Sequence, residues 1–304
     1  MALKIEAAVC SNMGKVRKNN EDNFYFNGLY MDENQRNGGG MVSREYKEPL
    51  QIYAVCDGMG GEEGGEDASI TAVRALFSLP REYQGAENPQ VVKDKLQLIS
   101  DTIEENARKK GYHSGTTIAM TILNRENVQV FHVGDSRVYR MDGKKLSRMT
   151  LDHSEVQRLC SMGIITADQM DTHPKRHMIT QYLGMPRGDG LLSPGVSREE
   201  PLKDGERYLL CSDGLTDMVK DPEIEAILGK AKTAEEAVKQ LTLAALKNGG
   251  RDNVTTICLF VRREKEEKSS VSKLKLKMYA AIAGMVIGAG MMLTSIALML
   301  MNIL

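Results

Sequence analysis

The sequence predicts an α+β fold, with mostly antiparallel sheets covered by helices and one C-terminal transmembrane helix. Three observations predict it. Strand-like runs come in groups instead of alternating strictly with helical patterns, which favours antiparallel sheets over a doubly wound parallel one. Apolar residues make up 41% of the 304-residue chain and charged residues 27%, enough for a packed core. The final 27 residues, Met278–Leu304, carry no charge.

The elements follow in order. Met1–Ser11 is a short apolar run with a charge pair inside it, strand-like and unlike a secretory signal. Asn27–Pro49 is polar, with Gly38-Gly39-Gly40 at its middle, and reads as a long surface loop. Strands are expected at Ile52–Cys56, Thr117–Leu123, Val128–Val133, Arg137–Met141, Arg207–Cys211 and Val254–Val261, from their β-branched and apolar content. Helical spacing marks Gly65–Leu79, Val91–Lys110, Glu155–Met162 and Ala234–Lys247. The last opens on a capping box, Thr233 with Glu236, and Asn248-Gly249-Gly250 stops it.

A helix over 278–304 would reach about 40 Å, against a hydrocarbon thickness of about 30 Å. Its clearly polar side chains are Tyr279, Thr294, Ser295 and Asn302. Before it stand Lys268, Lys273, Lys275 and Lys277 with no acid among them, which places the preceding domain on the cytoplasmic side. Ala280, Gly284 and Gly288 form a small-residue face through which two spans could dimerise. The expected organisation is a soluble domain over 1–261, a charged juxtamembrane linker over 262–277 and the span over 278–304, single-pass in the cell membrane.

Composition excludes some functions. The formal charge is −1 and there is no Trp, so no nucleic-acid partner is expected. The five cysteines, Cys10, Cys56, Cys160, Cys211 and Cys258, form no Cys-x-x-Cys. Four lie in apolar runs and read as buried thiols of a reducing compartment. Neither Cys56 nor Cys211 leads into a loop closed by Arg, as a cysteine nucleophile for phosphate esters would need.

Five acidic segments carry the chemistry: Asn20-Glu21-Asp22-Asn23, Asp57-Gly58-Met59-Gly60-Gly61, Gly134-Asp135-Ser136-Arg137, Ser212-Asp213-Gly214 and Gly250-Arg251-Asp252-Asn253. Each carboxylate sits beside Gly, Asn or Ser, mostly where an apolar β-branched run meets a tight turn. Hard oxygen ligands at such turns suit Mg²⁺ or Mn²⁺ around a phosphate ester.

In this order and spacing the segments resemble the metal-dependent serine/threonine protein phosphatases of the PPM, or type 2C, family, bacterial branch. Gly115-Thr116-Thr117, Thr150-Leu151-Asp152-His153-Ser154 and the stretch from His173-Pro174 to Leu183-Gly184 extend the resemblance, which runs from Glu6 to Val261. It implies a β-sandwich flanked by helices, with two metal ions, and a third beyond them, at one end. It implies that Asp57 bridges two ions. Glu21 and the Gly58 carbonyl would ligate one, and Asp213 and Asp252 the other. Asp22 would orient metal-bound water, and Asp135 would hold the third ion. Arg17 matches the phosphate-clamping Arg, whose planar fork suits two phosphate oxygens. The implied reaction is attack of a bridging metal-bound hydroxide on phosphoserine or phosphothreonine of a protein. The implied partners are phosphorylated proteins, a membrane serine/threonine kinase among their sources.

Two departures stand out. Met59 occupies a position where the animal branch has a His thought to protonate the leaving alkoxide, and Met cannot donate a proton. His153 is the nearest alternative in the sequence, with a structural role in its turn as the preferred assignment. Glu62 and Glu63 replace the small or basic residues common after this Gly-Gly. Thr150–Gly184, continuing to Asp204, resembles the flap over the groove, where substrate choice resides. The competing functions are a non-catalytic membrane-tethered phosphoprotein binder and a metal phosphohydrolase of small molecules. The first would need a missing ligand. The second finds no Gly-x-x-x-x-Gly-Lys-Ser/Thr loop.

Overall fold

The computed structural model describes residues 3–32, 35, 40–60, 64–84, 88–186, 188, 190–263 and 278. Residues 2–263 group as one compact unit. The expected span and linker lie outside the described residues, apart from Arg262, Arg263 and Met278. Among the described residues no helix is long and apolar enough to cross a membrane.

The strands are β1 (Leu3–Asn12), β2 (Asn23–Phe26), β3 (Gly40–Tyr46), β4 (Leu50–Cys56), β5 (Gly58–Gly60), β6 (Ser114–Thr116), β7 (Ile118–Asn124), β8 (Asn127–Val133), β9 (Arg137–Asp142), β10 (Lys145–Arg148), β11 (Gly195–Val196), β12 (Glu200–Pro201), β13 (Arg207–Cys211) and β14 (Val254–Arg263). The helices are α1 (Gly64–Ala75), α2 (Leu79–Gln84), α3 (Pro89–Lys110), α4 (Glu155–Ser161), α5 (Ala167–Met170), α6 (Asp213–Thr216), α7 (Asp221–Lys230) and α8 (Ala234–Lys247). One sheet runs β10-β9-β13-β14-β1-β3 and the other β11-β8-β7-β4-β2, with β12 also on β8. The strand pairings are antiparallel.

Alternation along the strands builds four layers. On β13, Tyr208 and Leu210 face the second sheet, meeting Val55, Ala119 and Val130. Leu209 and Cys211 face the other way, against Leu228, Val238 and Leu241 of α7 and α8. On β4, Tyr53 and Val55 point into the gap between sheets. Ile52, Ala54 and Cys56 pack on α1–α3 through Val73, Leu96 and Ile99. Both faces of these strands are buried, which is why they read as continuous apolar runs.

One expectation fails. Asn27–Pro49 is not all loop: β3 pairs with β1, Ser11 opposite Gly40 and Ile5 opposite Tyr46. It is an edge strand with one neighbour, and only Tyr46 of it is buried. An edge strand open to water carries no period-2 apolar signal and tolerates charge, here including the Lys4–Glu45 pair at 2.9 Å. The helix α7 also went unforeseen, because only Ile224 and Leu228 of it are buried.

Register positions the site. Cys211 lies opposite Thr256 and Arg137, and Asn12 lies opposite Val254. The end of β13, the starts of β9 and β14 and the end of β1 therefore share one edge of the first sheet. In the second sheet Cys56 is opposite Asn23, Val55 opposite Ala119, and Val133 opposite Ile118. The turns that carry Glu21, Asp57, Asp135, Asp213 and Asp252 all leave from these strand ends.

Candidate active site

A cavity of about 390 Å³ sits at that end, lined by Arg17, Glu21, Asp57, Gly58, Met59, Gly60, Thr117, Asp135, His177, Ile179, Asp213 and Asp252. Of the residues singled out in the sequence, Arg17, Glu21, Asp57, Gly58, Asp135, Asp213 and Asp252 come together on its wall. Asp22 stands behind it, 1% exposed.

The backbone holds these groups rigidly. The Asp57 N–H donates to Thr117 Oγ1 at 3.1 Å, and the Asp57 carbonyl accepts from the Thr117 N–H and the Thr116 hydroxyl, each at 2.9 Å. Thr117 Oγ1 also lies 2.6 Å from Ser136 Oγ, joining the Asp57 and Asp135 turns. The Gly58 N–H donates to the Glu21 carbonyl at 3.2 Å. A Cβ at Gly58 would fall 2.2 Å from the Gly65 carbonyl oxygen and 2.5 Å from that of Glu21, so only glycine lets these three segments meet. Asn253 ties the last motif to the first: its Oδ1 accepts from the Glu21 N–H at 2.8 Å, and its Nδ2 donates to the Met13 and Asn19 carbonyls at 2.9 Å. That is a wider reach than capping its own turn.

Beneath the cluster runs a buried polar relay. Ser212 Oγ donates to Asp22 Oδ2 at 2.7 Å and accepts from the Thr255 N–H at 3.0 Å. Thr255 Oγ1 meets Ser11 Oγ at 2.8 Å, and Asn20 Nδ2 donates to Ser11 Oγ at 3.0 Å.

Electrostatics mark the cluster as one that calls for cations. Burial, then the neighbouring Asp22, Asp213, Asp135 and Asp252, pushes the Asp57 carboxyl well above its ordinary range. Burial is also the main cause that raises Asp22 to about 7, Asp135 to about 8 and Asp213 to about 6. Glu21 is raised by burial, with Arg17 opposing. The oxygen Oδ1 of Asp22 is buried without a hydrogen-bond partner. Crowded carboxylates, an orphaned buried oxygen and oxygen-only donors together fit hard divalent cations.

The match to the Protein phosphatase 2C sequence profile spans residues 42–252, from β3 to the last acidic turn. The chain belongs to the protein phosphatase 2C family. It is 31% identical over 264 residues to the serine/threonine phosphatase stp of Listeria monocytogenes serotype 4b, covering 84% of this chain and 94% of that protein. Among solved structures it resembles the serine/threonine phosphatase Stp1 of Staphylococcus aureus, with 31% identity, a TM-score of 0.70, and 85% and 96% of the two chains covered. It likewise resembles the catalytic domain of the phosphatase PstP in complex with two manganese ions, at 28% identity and a TM-score of 0.70 over 86% and 100% of the chains. The chain is a serine/threonine protein phosphatase of the 2C type, and phosphatases of this family use metal ions.

Other residues of the phosphatase find their places. Arg17 Nη2 donates to Asp252 Oδ2 at 2.6 Å, one of the five donors of its fork. Arg137 reaches beyond its own loop. It clamps Asp152 at the flap base, through Nη2 at 2.6 Å and Nε at 3.1 Å to each oxygen. His153 stays out of the cavity. Its Nδ1 accepts from the Gly134 N–H at 3.4 Å, and burial followed by the neighbouring His132 lowers it to about 4, so it is neutral and structural. Glu62 and Glu63 lie outside the described residues.

Three wall residues, Thr117, His177 and Ile179, were not singled out in the sequence. Thr117 was legible only as part of a motif. His177 and Ile179 lie in the stretch from His173-Pro174 to Leu183-Gly184, marked only as a whole, and the fold alone turns them to the cavity, with His177 Nδ1 3.7 Å from Asp217 Oδ2. The thiols of Cys56 and Cys211 are raised by burial, Cys211 to about 12, which suits buried cysteines and not nucleophiles.

The raised carboxylates predict a pH dependence. A carboxyl that holds its proton more tightly folded than unfolded favours folding below its unfolded pKa, and that advantage is lost as pH rises through the folded value. For Asp213, Asp22 and Asp135 the loss runs from about 4 up through about 6, 7 and 8. The melting temperature of chelated protein should fall as pH is raised from about 4.5 to 8, and added Mn²⁺ should restore more at pH 8 than at 5.5. Calorimetry with and without Mn²⁺ checks this; parallel curves would contradict it.

Proposed function

We propose that this phosphatase hydrolyses phosphoserine and phosphothreonine of proteins at a pair of divalent cations, Mn²⁺ or Mg²⁺, while tethered to the cytoplasmic face of a membrane. The convergence of seven groups from five separate stretches of the chain on one cavity wall carries the reading. Asp57, central among the other acids, would be shared by two cations. Glu21 and the Gly58 carbonyl would complete one set, Asp213 and Asp252 the other, and Asp135 a third. Bound there, the cations would lower the pKa of water and neutralise the ester's charge.

The chain supplies the rest. Thr117 and Ser136 fix the Asp57 and Asp135 turns. Asp22, held by Ser212 behind the wall with its other oxygen unpartnered, would orient solvent bound at the cluster. Arg17 keeps further donors for the phosphoryl oxygens while one is engaged by Asp252, and so orients the ester for in-line attack. Among the described residues no cysteine lines the cavity, and the proposed attack needs no phosphoenzyme.

Tethering rests on the uncharged segment 278–304 and on the lysines before it, with 1–261 as catalytic domain and 262–277 as linker. A serine/threonine kinase at the same membrane would be the opposing partner, and the Ala280, Gly284 and Gly288 face would allow dimerisation.

The decisive assay uses full-length protein, a phosphothreonine peptide and Mn²⁺. Phosphate release that EDTA abolishes and Mn²⁺ restores is expected; no release at saturating Mn²⁺ would reject the reading. Deleting 278–304 should turn a membrane-sedimenting protein into a soluble one of equal activity, and continued sedimentation would reject the tether.

A further inference from the structure

Arg17, Asp135, His177, Asp213 and Asp252 also line a second cavity, of about 410 Å³. Its far walls come from the flap, at Met170–His177, and from the segment after β13, at Gly214–Lys220. Five Arg or Lys side chains face it. Three are engaged by carboxylates: Arg17 by Asp252 at 2.6 Å, Arg137 by Asp152 at 2.6 Å and Lys220 by Asp171 at 2.7 Å. The other two keep their charge uncompensated. Arg176 donates only to neutral acceptors, His177 Nε2 at 2.8 Å and the Asp171 carbonyl at 3.3 Å. Arg251 is exposed, with no ion pair among the described residues. Outside the metal cluster, the one lining carboxylate without a Lys or Arg is Asp217, which faces His177.

The two free guanidiniums are placed by residues that already belong to the site. The turn that presents Asp252 to both cavities presents Arg251 to the second alone. On the flap, His177 faces both cavities and Arg176 only the second. A phosphoresidue at the first cavity would thus have its chain neighbour beside two planar cationic forks, which suit a carboxylate or phosphate.

We infer that the second cavity is a subsite for an anionic side chain, acidic or phosphorylated, next to the residue being dephosphorylated, with Arg176 and Arg251 as its specificity determinants. This rests on the phosphatase chemistry proposed above. It makes acidic or multiply phosphorylated segments the favoured substrates.

The test compares phosphothreonine peptides that differ only in the flanking residues, which are Glu, phosphoserine, Gln or Lys, with p-nitrophenyl phosphate, which has no flank. With full-length protein and Mn²⁺, kcat/KM for the Glu and phosphoserine peptides should exceed that for the Lys peptide by about fivefold to tenfold at low salt, narrowing at about 0.5 M salt. The double variant Arg176→Gln/Arg251→Gln should lose the preference, and Arg176→Lys/Arg251→Lys should keep part of it. Turnover of p-nitrophenyl phosphate should stay within about twofold. Equal rates on all peptides, or a preference that survives the double Gln variant, would overturn the subsite. Should the double variant lose p-nitrophenyl phosphate turnover as well, the salt dependence of the wild-type preference decides: a preference unmoved by salt would overturn the subsite. Failure on every substrate would instead reject the phosphatase chemistry itself.

Discussion

Asp57→Asn is expected to lower kcat/KM on a phosphothreonine peptide by about a thousandfold or more, because in the proposed reaction several kcal/mol of transition-state stabilisation would come from cations sharing this carboxylate. The fold should not suffer. The Asp57 backbone is held by Thr116 and Thr117 through bonds that do not involve its side chain. Its carboxyl is raised by burial and by four neighbouring acids, so an amide there relieves repulsion in the metal-free protein. Chelated Asp57→Asn should therefore melt at the same temperature as chelated wild type or above it, and Mn²⁺ should stabilise it less. Kinetics paired with calorimetry give both numbers. Retained activity would remove Asp57 from the centre of the mechanism, and a lower melting temperature without metal would make it a structural residue.

Arg137→Ala should be the most damaging single change to stability near the site. Its partner Asp152 has a side chain only 4% exposed, against 23% for Arg137. Removing the guanidinium strands a buried carboxylate, a loss of about 3–5 kcal/mol in comparable pairs. Arg148 lies 3.4 Å from the same carboxylate oxygen and offsets part, so about 3 kcal/mol is expected, or about 6–12 °C in melting temperature for a domain of this size. The Arg137→Met/Asp152→Leu pair should lose less than the single change, since no charge is left buried. A shift of less than about 2 °C would show that Asp152 finds other compensation. Asp152 starts the flap, where Ser154 bridges Ile179 and Thr116 bridges Leu183. The single change should therefore also raise KM for peptides more than for a small ester.

These two residues show what was legible beforehand. Asp57 announced itself, because an acid between an apolar run and Gly-x-Gly is a local pattern. Arg137 was visible as part of an acidic motif, but its partner was not, since nothing near it in the chain points to Asp152. The edge strand β3 was hidden by its polarity, and His177 was legible only within a longer stretch, with nothing local to show that it faces the cavity.

By itself the sequence determined what depends on neighbours along the chain. The strand runs buried on both faces, the caps of α8, the acids at strand-ending turns and the uncharged segment 278–304 all follow from local sterics and burial. Tertiary structure alone decided which of these turns share a cavity. Ser212 meets Asp22 across 190 residues and Arg17 meets Asp252 across 235. Such encounters depend on strand order and register, which arise from the mutual packing of two sheets and have no signature within any one segment.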